Sequence, residues 1–180
     1  MIRVIAVGDV EASLLQKVCS KLYQVFGVGC EAGPALPMPA SRRGRSAKAG
    51  LDAAAFLEQA HSGRNALQKK DIVLYVTTKA LSPIELPTGI SEQPSSLSLP
   101  DKRCGVVSLD KLPQASTPER LVQRASKLAV HEVGHLLGLR HCVEAKCTMY
   151  PPWTPAFTAS EAIQLCAFCQ DRCERRLEGE

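Results

Sequence analysis

Apolar positions along the chain change period several times, and the changes predict its elements. Ile2 to Gly8 is a β-branched run closed by Gly8-Asp9 and predicts a buried strand. From Glu11 to Phe26 the residues Leu14, Leu15, Val18, Leu22, Val25 and Phe26 recur at helical spacing, and Gly27 and Gly29 stop that helix. Val28 to Ala32 begins a second strand, Leu51 to His61 is a short helix, and Asp71 to Thr78 (DIVLYVTT) has the strongest strand pattern of the chain. This strand–helix–strand order predicts parallel pairing through right-handed crossovers. Pro34 to Gly50 and the proline- and serine-rich Lys79 to Pro100 read as surface loops; the second, if functional, belongs beside a cleft. Cys104 to Leu109 predicts another strand.

A long helix follows. Ser116-Thr117-Pro118-Glu119 predicts its start, since either hydroxyl can cap, Pro118 suits the first turn, and Ser116 with Glu119 fits a capping box. Leu121, Val122, Ala125, Leu128, Ala129, Leu136 and Leu137 keep the helical period to about Leu139. Gly134 inside it costs roughly 1 kcal/mol against alanine, so it either keeps space clear near the site or is neutral. Further on, Thr158-Ala159-Ser160-Glu161 predicts the cap of a final helix from about Ser160 to Arg176, with Cys166, Cys169 and Cys173 on one face.

Composition narrows the class. A chain of 180 residues suits one compact domain, divisible into lobes at 1–138 and 139–180, and aromatics at 4% require an aliphatic core. A net charge of +4 is mild and spread out, which argues against nucleic-acid binding; Arg42-Arg43-Gly44-Arg45 reads as a solvated loop. No segment approaches the ~18 apolar residues of a membrane span, and the N-terminal run is too short for a signal sequence. The expectation is a cytoplasmic monomer, in which eight cysteines stay reduced and argue for metal rather than disulfides.

The chemistry concentrates in His131-Glu132-Val133-Gly134-His135-Leu136-Leu137-Gly138-Leu139-Arg140-His141, which holds three of the four histidines. His131 and His135 are four residues apart, so on a helix they share a face and can grip one metal ion. Gly138 can end the helix in a left-handed conformation, letting the chain turn back to deliver His141. Three imidazoles leave zinc an open fourth position, the catalytic arrangement. Glu132, beside a ligand without being one, is placed to act as general base. Glu144 and Glu161 are carboxylate alternatives to His141. Two closely spaced pairs, Cys142 with Cys147 and Cys166 with Cys169, offer a second, closed four-thiolate site, with Cys173 as a spare. His61, the remaining histidine, reads as a solvated helix end.

HExxHxxGxxH followed by Met149, with the four cysteines interleaved around that methionine, resembles the archaemetzincin branch of the metzincin zinc peptidases. Sixteen residues separate Met149 from Cys166, one fewer than the family pattern. The resemblance implies an α/β (α+β) fold, with a mixed twisted sheet, backing and active-site helices, and a small C-terminal lobe. It implies that Met149 forms an apolar floor beneath the histidines. It also makes Val106 to Leu109 the antiparallel edge strand beside which bound peptide lies. The expected function is a zinc metallopeptidase with two zinc ions, one catalytic at His131, His135 and His141 and one structural at Cys142, Cys147, Cys166 and Cys169, acting on peptide or protein substrates. A non-catalytic zinc protein holding a partner peptide in the same cleft is the alternative. Retention of Glu132 speaks for the enzyme, since a pure binder needs no base. Tyr150 suits turn packing better than a role at the oxyanion.

Overall fold

The computed structural model describes residues 1–39, 50–65, 70–85, 91–112, 117–152 and 154–179. In chain order these form β1 (Ile2–Val7), α1 (Ala12–Phe26), β2 (Cys30–Ala32), α2 (Ala53–Ser62), β3 (Ile72–Thr77), β4 (Ile84–Glu85), β5 (Ser91–Glu92), β6 (Ser96–Leu99), β7 (Cys104–Ser108), α3 (Pro118–Leu136), α4 (Pro155–Ala159) and α5 (Ala167–Glu178). One mixed sheet runs in the order β2-β1-β3-β7-β6, and β4 pairs with β5 in a separate antiparallel ribbon. β2, β1, β3 and β7 are parallel, as the strand–helix–strand order predicts, with β1 in register with β3 from Ile2↔Ile72 to Val7↔Thr77.

Alternation along the strands divides the core between the two sheet faces. Ile72, Leu74 and Val76 pack with Val107 against the apolar stripes of α1 and α3 (Leu14, Val18, Leu22, Ala125, Ala129 and Val133 among them). Val73 and Tyr75 pack with Val106 against Phe56 and Leu57 of α2 on the other face. Being covered on both sides, β3 and β7 are buried at every residue, which is why their sequences read as unbroken apolar runs. Among the described residues no helix is long and apolar enough to cross a membrane.

Three expectations are corrected. The edge strand is not Val106 to Leu109: β7 lies inside the sheet, parallel to β3. The antiparallel edge is β6, paired from Ser96↔Val107 to Leu99↔Cys104. A strand of Val-Val character belongs inside a sheet; the half-exposed edge has the alternating Ser-Leu-Ser-Leu instead. The predicted loop from Lys79 to Pro100 therefore contains β4, β5 and β6. Third, the final helix starts at Ala167 rather than Ser160, after the short α4. The carbonyls of Phe157 and Ser160 accept from Lys127 Nζ, and Gln164 pairs with Thr148 through both its N–H and its C=O, so this stretch is held open instead of coiled. The start of α3 is capped by Thr117, whose Oγ1 accepts from the Arg120 N–H at 3.4 Å; Ser116 and Arg42-Arg43-Gly44-Arg45 lie outside the described residues.

Candidate metal centre

The end of α3 sets the histidines. The helix stops at Leu136, Gly138 takes φ +83°, and the Leu139 N–H bonds back to the Gly134 carbonyl at 2.9 Å. That turn brings the Leu139 carbonyl to within 2.9 Å of His135 Nδ1. The Thr148 carbonyl stands 2.7 Å from His131 Nδ1. A carbonyl only accepts, so in both rings Nδ1 carries the proton and Nε2 presents a lone pair. The two Nε2 atoms face each other at 3.0 Å, and the His141 ring lies 5.2 Å from that of His131 and 4.9 Å from that of His135, centroid to centroid. One ligand atom from each of the three rings falls within 4.8 Å of the others, and among the described residues no carboxylate joins the group. Glu161 lies along the cleft wall, outside it.

Electrostatics favour the metal-binding form. Burial drives the His131 pKa down to about 3, with His135 and His141 adding repulsion. Burial and His135 likewise lower that of His141. Neutral imidazoles with converging lone pairs need a cation between them, and protonation is the disfavoured way to supply one. The donor set therefore fits zinc, with nitrogen ligands on one side and open cleft on the other.

Glu132 is 4% exposed and points from α3 towards β6. Burial raises its pKa, while hydrogen bonds from Ser96 and Ser98 and the proximity of His135 pull the other way. Ser96 and Ser98 stand two residues apart on one face of β6, while Leu97 and Leu99 pack against the α2 side of the sheet. Glu132, Ser96, Ser98 and the three histidines all line a cleft of about 950 Å³ between β6, α3 and the stretch from Pro152 to Glu161.

Beneath the cleft, Cys142, Cys147, Cys166 and Cys169 bring their sulfurs within 4.8 Å of one another, with Cys142 Sγ and Cys166 Sγ 3.7 Å apart. Cys166, sixteen residues beyond Met149, follows an open stretch and occupies the N-cap position of α5. Backbone amides point at the sulfurs: Glu144 N–H donates to Cys142 Sγ and Cys166 N–H to Cys147 Sγ, each at 3.4 Å. Burial pushes the Cys147 and Cys169 thiols up. Burial also raises Cys166, but hydrogen bonds from Cys169 and the other thiols bring it below the ordinary value. Four thiolates this close need a cation, and a four-sulfur set suits zinc in a closed site. Cys173 sits one turn beyond Cys169, buried, its pKa pushed up to about 11, and lies outside the group.

Thr148 joins the two clusters. It follows Cys147, its carbonyl holds His131, and its N–H and Oγ1 both bond Gln164. Met149 is fully buried under α3. A Cβ on Gly134 would stand 2.3 Å from Met149 Sδ, so that glycine makes room for the methionine rather than for the metal. Tyr150 is half-buried against the core, and His61 Nδ1 meets the Lys102 carbonyl at 3.1 Å, far from either cluster in the sequence and outside both groups.

Sequence reasoning missed Ser96, Ser98 and Lys127. The serines were hidden by a composition that reads as loop, although their alternation with Leu97 and Leu99 is a strand signal. Lys127 sits four residues before His131 and hence on the metal-facing stripe.

Residues 97–178 match the family model of peptidase family M54. The chain is 27% identical to an archaemetzincin of Pyrococcus furiosus over 98% of its own length and 94% of that protein. It is 35% identical to one of Pyrococcus abyssi over 45% of its length and 46% of that protein. Its fold is similar to the crystal structure of an archaemetzincin from Methanopyrus kandleri, at a TM-score of 0.79 and 19% identity, covering 99% of this chain and 96% of that one. A zinc-dependent peptidase from Methanocorpusculum labreanum gives 0.80 at 20% identity, covering 96% and 100%.

Proposed function

We propose that this chain is an archaemetzincin of peptidase family M54, a metallopeptidase that hydrolyses peptide bonds with zinc held by His131, His135 and His141 and with Glu132 as general base. The observation that carries this is the convergence of three neutral imidazoles, two of them locked by backbone carbonyls, beside a buried carboxylate at the floor of an open cleft. Zinc bound there supplies Lewis acidity, which makes water nucleophilic at neutral pH and polarises a scissile carbonyl. Glu132 takes the proton of the attacking water and delivers it to the leaving amine. Ser96 and Ser98 hold its carboxylate in place meanwhile. The free edge of β6 offers its backbone groups to an extended peptide, which brings the scissile bond over the histidines. Cys142, Cys147, Cys166 and Cys169 hold a second zinc ion whose work is structural, making two per chain.

Glu132→Gln tests the assignment. It is expected to keep both ions by metal analysis and to lose about 10²–10⁴-fold in turnover of a cleaved peptide, the range a general base contributes. Turnover at the wild-type rate would remove Glu132 from the mechanism. Peptide binding without hydrolysis by the wild-type chain would leave a zinc protein that holds a partner peptide.

A further inference from the structure

The stripe of α3 that carries His131 and His135 into the cleft is cationic before it reaches them. Arg120, Arg124, Lys127 and His131 follow one another at intervals of four, three and four residues, which keeps them on one face. All four line the cleft. Lys111 lines it as well, and among the described side chains the lining holds, apart from Glu132, a single carboxylate, Glu161. Among the described side chains, four cations thus stand against one carboxylate in the part of the cleft that does no chemistry.

Lys127 is the informative member. It is only 5% exposed, yet its partners are neutral: Nζ donates to the Phe157 carbonyl at 2.6 Å and the Ser160 carbonyl at 2.7 Å, and lies 4.2 Å from the Phe157 ring centroid. A buried ammonium satisfied by dipoles alone is expensive, and a neutral donor would pin the same two carbonyls at lower cost. Arg124 and Arg120 extend the positive row outwards without a carboxylate partner in any ion pair among the described residues. A packing role for Lys127 does not account for that continuation. An anion lying along the row accounts for all three.

We infer that the cleft selects peptides bearing a carboxylate a few residues from the bond to be cleaved, on the side of the metal centre nearer the start of α3. The inference rests on the peptidase reading. At 1.5 Å per helical residue, Lys127 lies about 6 Å and Arg120 about 16 Å back from His131. An extended peptide covers about 3.3 Å per residue, so the carboxylate falls roughly two to five residues from the scissile bond. An Asp or Glu side chain and a free C-terminus supply the same group.

The test is hydrolysis of matched peptides with Asp or Glu against Asn or Gln at each of five positions on both sides of the cleaved bond, made with free and with amidated C-termini. The expected result is a kcat/KM about tenfold higher for the carboxylate peptides on one side only, narrowing as salt is raised. Preference within the amidated set assigns the group to side chains; preference only for free termini assigns it to the peptide end. Lys127→Met also frees Phe157 and Ser160, so the half-buried Arg124 carries the mutational test: Arg124→Gln should bring the acid-to-amide ratio towards one, and Arg124→Glu should shift preference to lysine-bearing peptides. Equal rates for acid and amide peptides on both sides overturn the inference and leave the peptidase reading standing. The same peptides are also titrated against Glu132→Gln by fluorescence anisotropy. If wild type hydrolyses none of them but acidic ones bind about tenfold tighter, peptidase activity falls and carboxylate selection stands. Neither hydrolysis nor selective binding overturns both.

Discussion

The histidine cluster and the cysteine cluster meet at one peptide bond, between His141 and Cys142, and are held from opposite sides of the hydrogen bond. The imidazoles donate hydrogen bonds: Nδ1 of His131 and of His135 donate to the Thr148 and Leu139 carbonyls, which turns Nε2 of each ring towards the centre of the cluster. The sulfurs accept them: the amides of Glu144 and Cys166 donate to Cys142 Sγ and Cys147 Sγ. The surroundings differ in the same sense. His131 and His135 stand on a helix packed into the main core, so the fold positions these two whether or not a metal is bound. Among the described residues after Arg140, the buried apolar side chains are Cys147, Met149, Phe157, Cys169 and Cys173, of which three are cysteines. That part of the chain has little core apart from its thiols. The fold by itself positions the helical histidines of the first site, whereas a metal bound at the second would supply the order that this part of the chain lacks.

Chelation is the strongest way to break this contrast. The histidine site has an open side at which a chelator can coordinate the ion before it leaves; the thiolate site is closed. Mild chelation at neutral pH should remove about one equivalent of zinc, abolish peptide hydrolysis and leave the melting temperature nearly unchanged. Removing the second should need acid, thiol modification or denaturant. Zinc content by mass spectrometry against chelator exposure, with melts in parallel, checks it. Both ions leaving together without a drop in melting temperature would show that the two sites do not differ.

Cys142→Ser or Cys166→Ser approaches the contrast from the other side. Structural zinc contributes about 10–16 kcal/mol in small zinc-folded peptides; here, with a main core already present, a loss on the order of 5 kcal/mol is expected. In a chain of this size that corresponds to a fall in melting temperature of roughly 10–20 °C. Activity should fall with it, because Thr148 sits between Cys147 and the hydrogen bond that orients His131. A serine variant that melts like wild type would remove the structural role.

The two clusters also differ in how far the sequence disclosed them. Both clusters were legible because their spacing is local: His131 and His135 lie one helix turn apart, and the cysteines come as two short pairs. The parallel sheet was legible too, since β1 and β3 are apolar on both faces. What failed depends on partners far along the chain. β6 has serines facing the cleft because Glu132, some 35 residues on, accepts their hydrogen bonds, and no local pattern encodes that. The missing turns before Ala167 have the same origin: Lys127 and Thr148 take the backbone groups that a helix from Ser160 would have used. Gly134 read as clearing space near the site or as neutral; the space it leaves is filled by Met149.

A pH titration of stability sharpens the claim that the histidine site is poised neutral. In the unfolded chain a histidine titrates near 6.5, whereas burial holds His131 in the folded chain at about 3. Below pH 6.5 the unfolded chain therefore takes up a proton that the folded chain refuses, and stability falls with falling pH. The slope is about 1.4 kcal/mol per pH unit while only this group is in play. Glu132 acts in the opposite sense, because its raised folded pKa lets the folded chain hold a proton above the ordinary carboxylate range. Chelated Glu132→Gln removes that opposing contribution. Between pH 6.5 and 5 the loss of His131 alone comes to roughly 2 kcal/mol by denaturant melts, with the lowered His141 adding to it, and His131→Asn in the same background should reduce the dependence without abolishing it.

Gly134→Ala should have the smallest effect, and it probes the floor shared by both clusters. On helix propensity alone alanine is better by about 1 kcal/mol. The new methyl group, however, would stand 2.3 Å from Met149 Sδ and 3.1 Å from its Cε, with Leu139 Cδ1 at 3.5 Å on the other side. Met149 is flexible in principle, but it is fully buried, and its carbonyl accepts from Cys142 N–H at 2.8 Å, so its movement is passed to the cysteine cluster. Overpacking of this kind costs about 1–3 kcal/mol, which outweighs the propensity gain. A net loss of roughly 1–2 kcal/mol is expected, seen as a fall of a few degrees in melting temperature. If the clash is the cause, shortening the methionine should relieve it. Met149→Val alone is destabilising because it opens a cavity, but in combination with Gly134→Ala the two changes should cost less than their sum. Additive losses would mean that Gly134 and Met149 act independently, and the glycine would then owe its place to something other than the methionine beneath it.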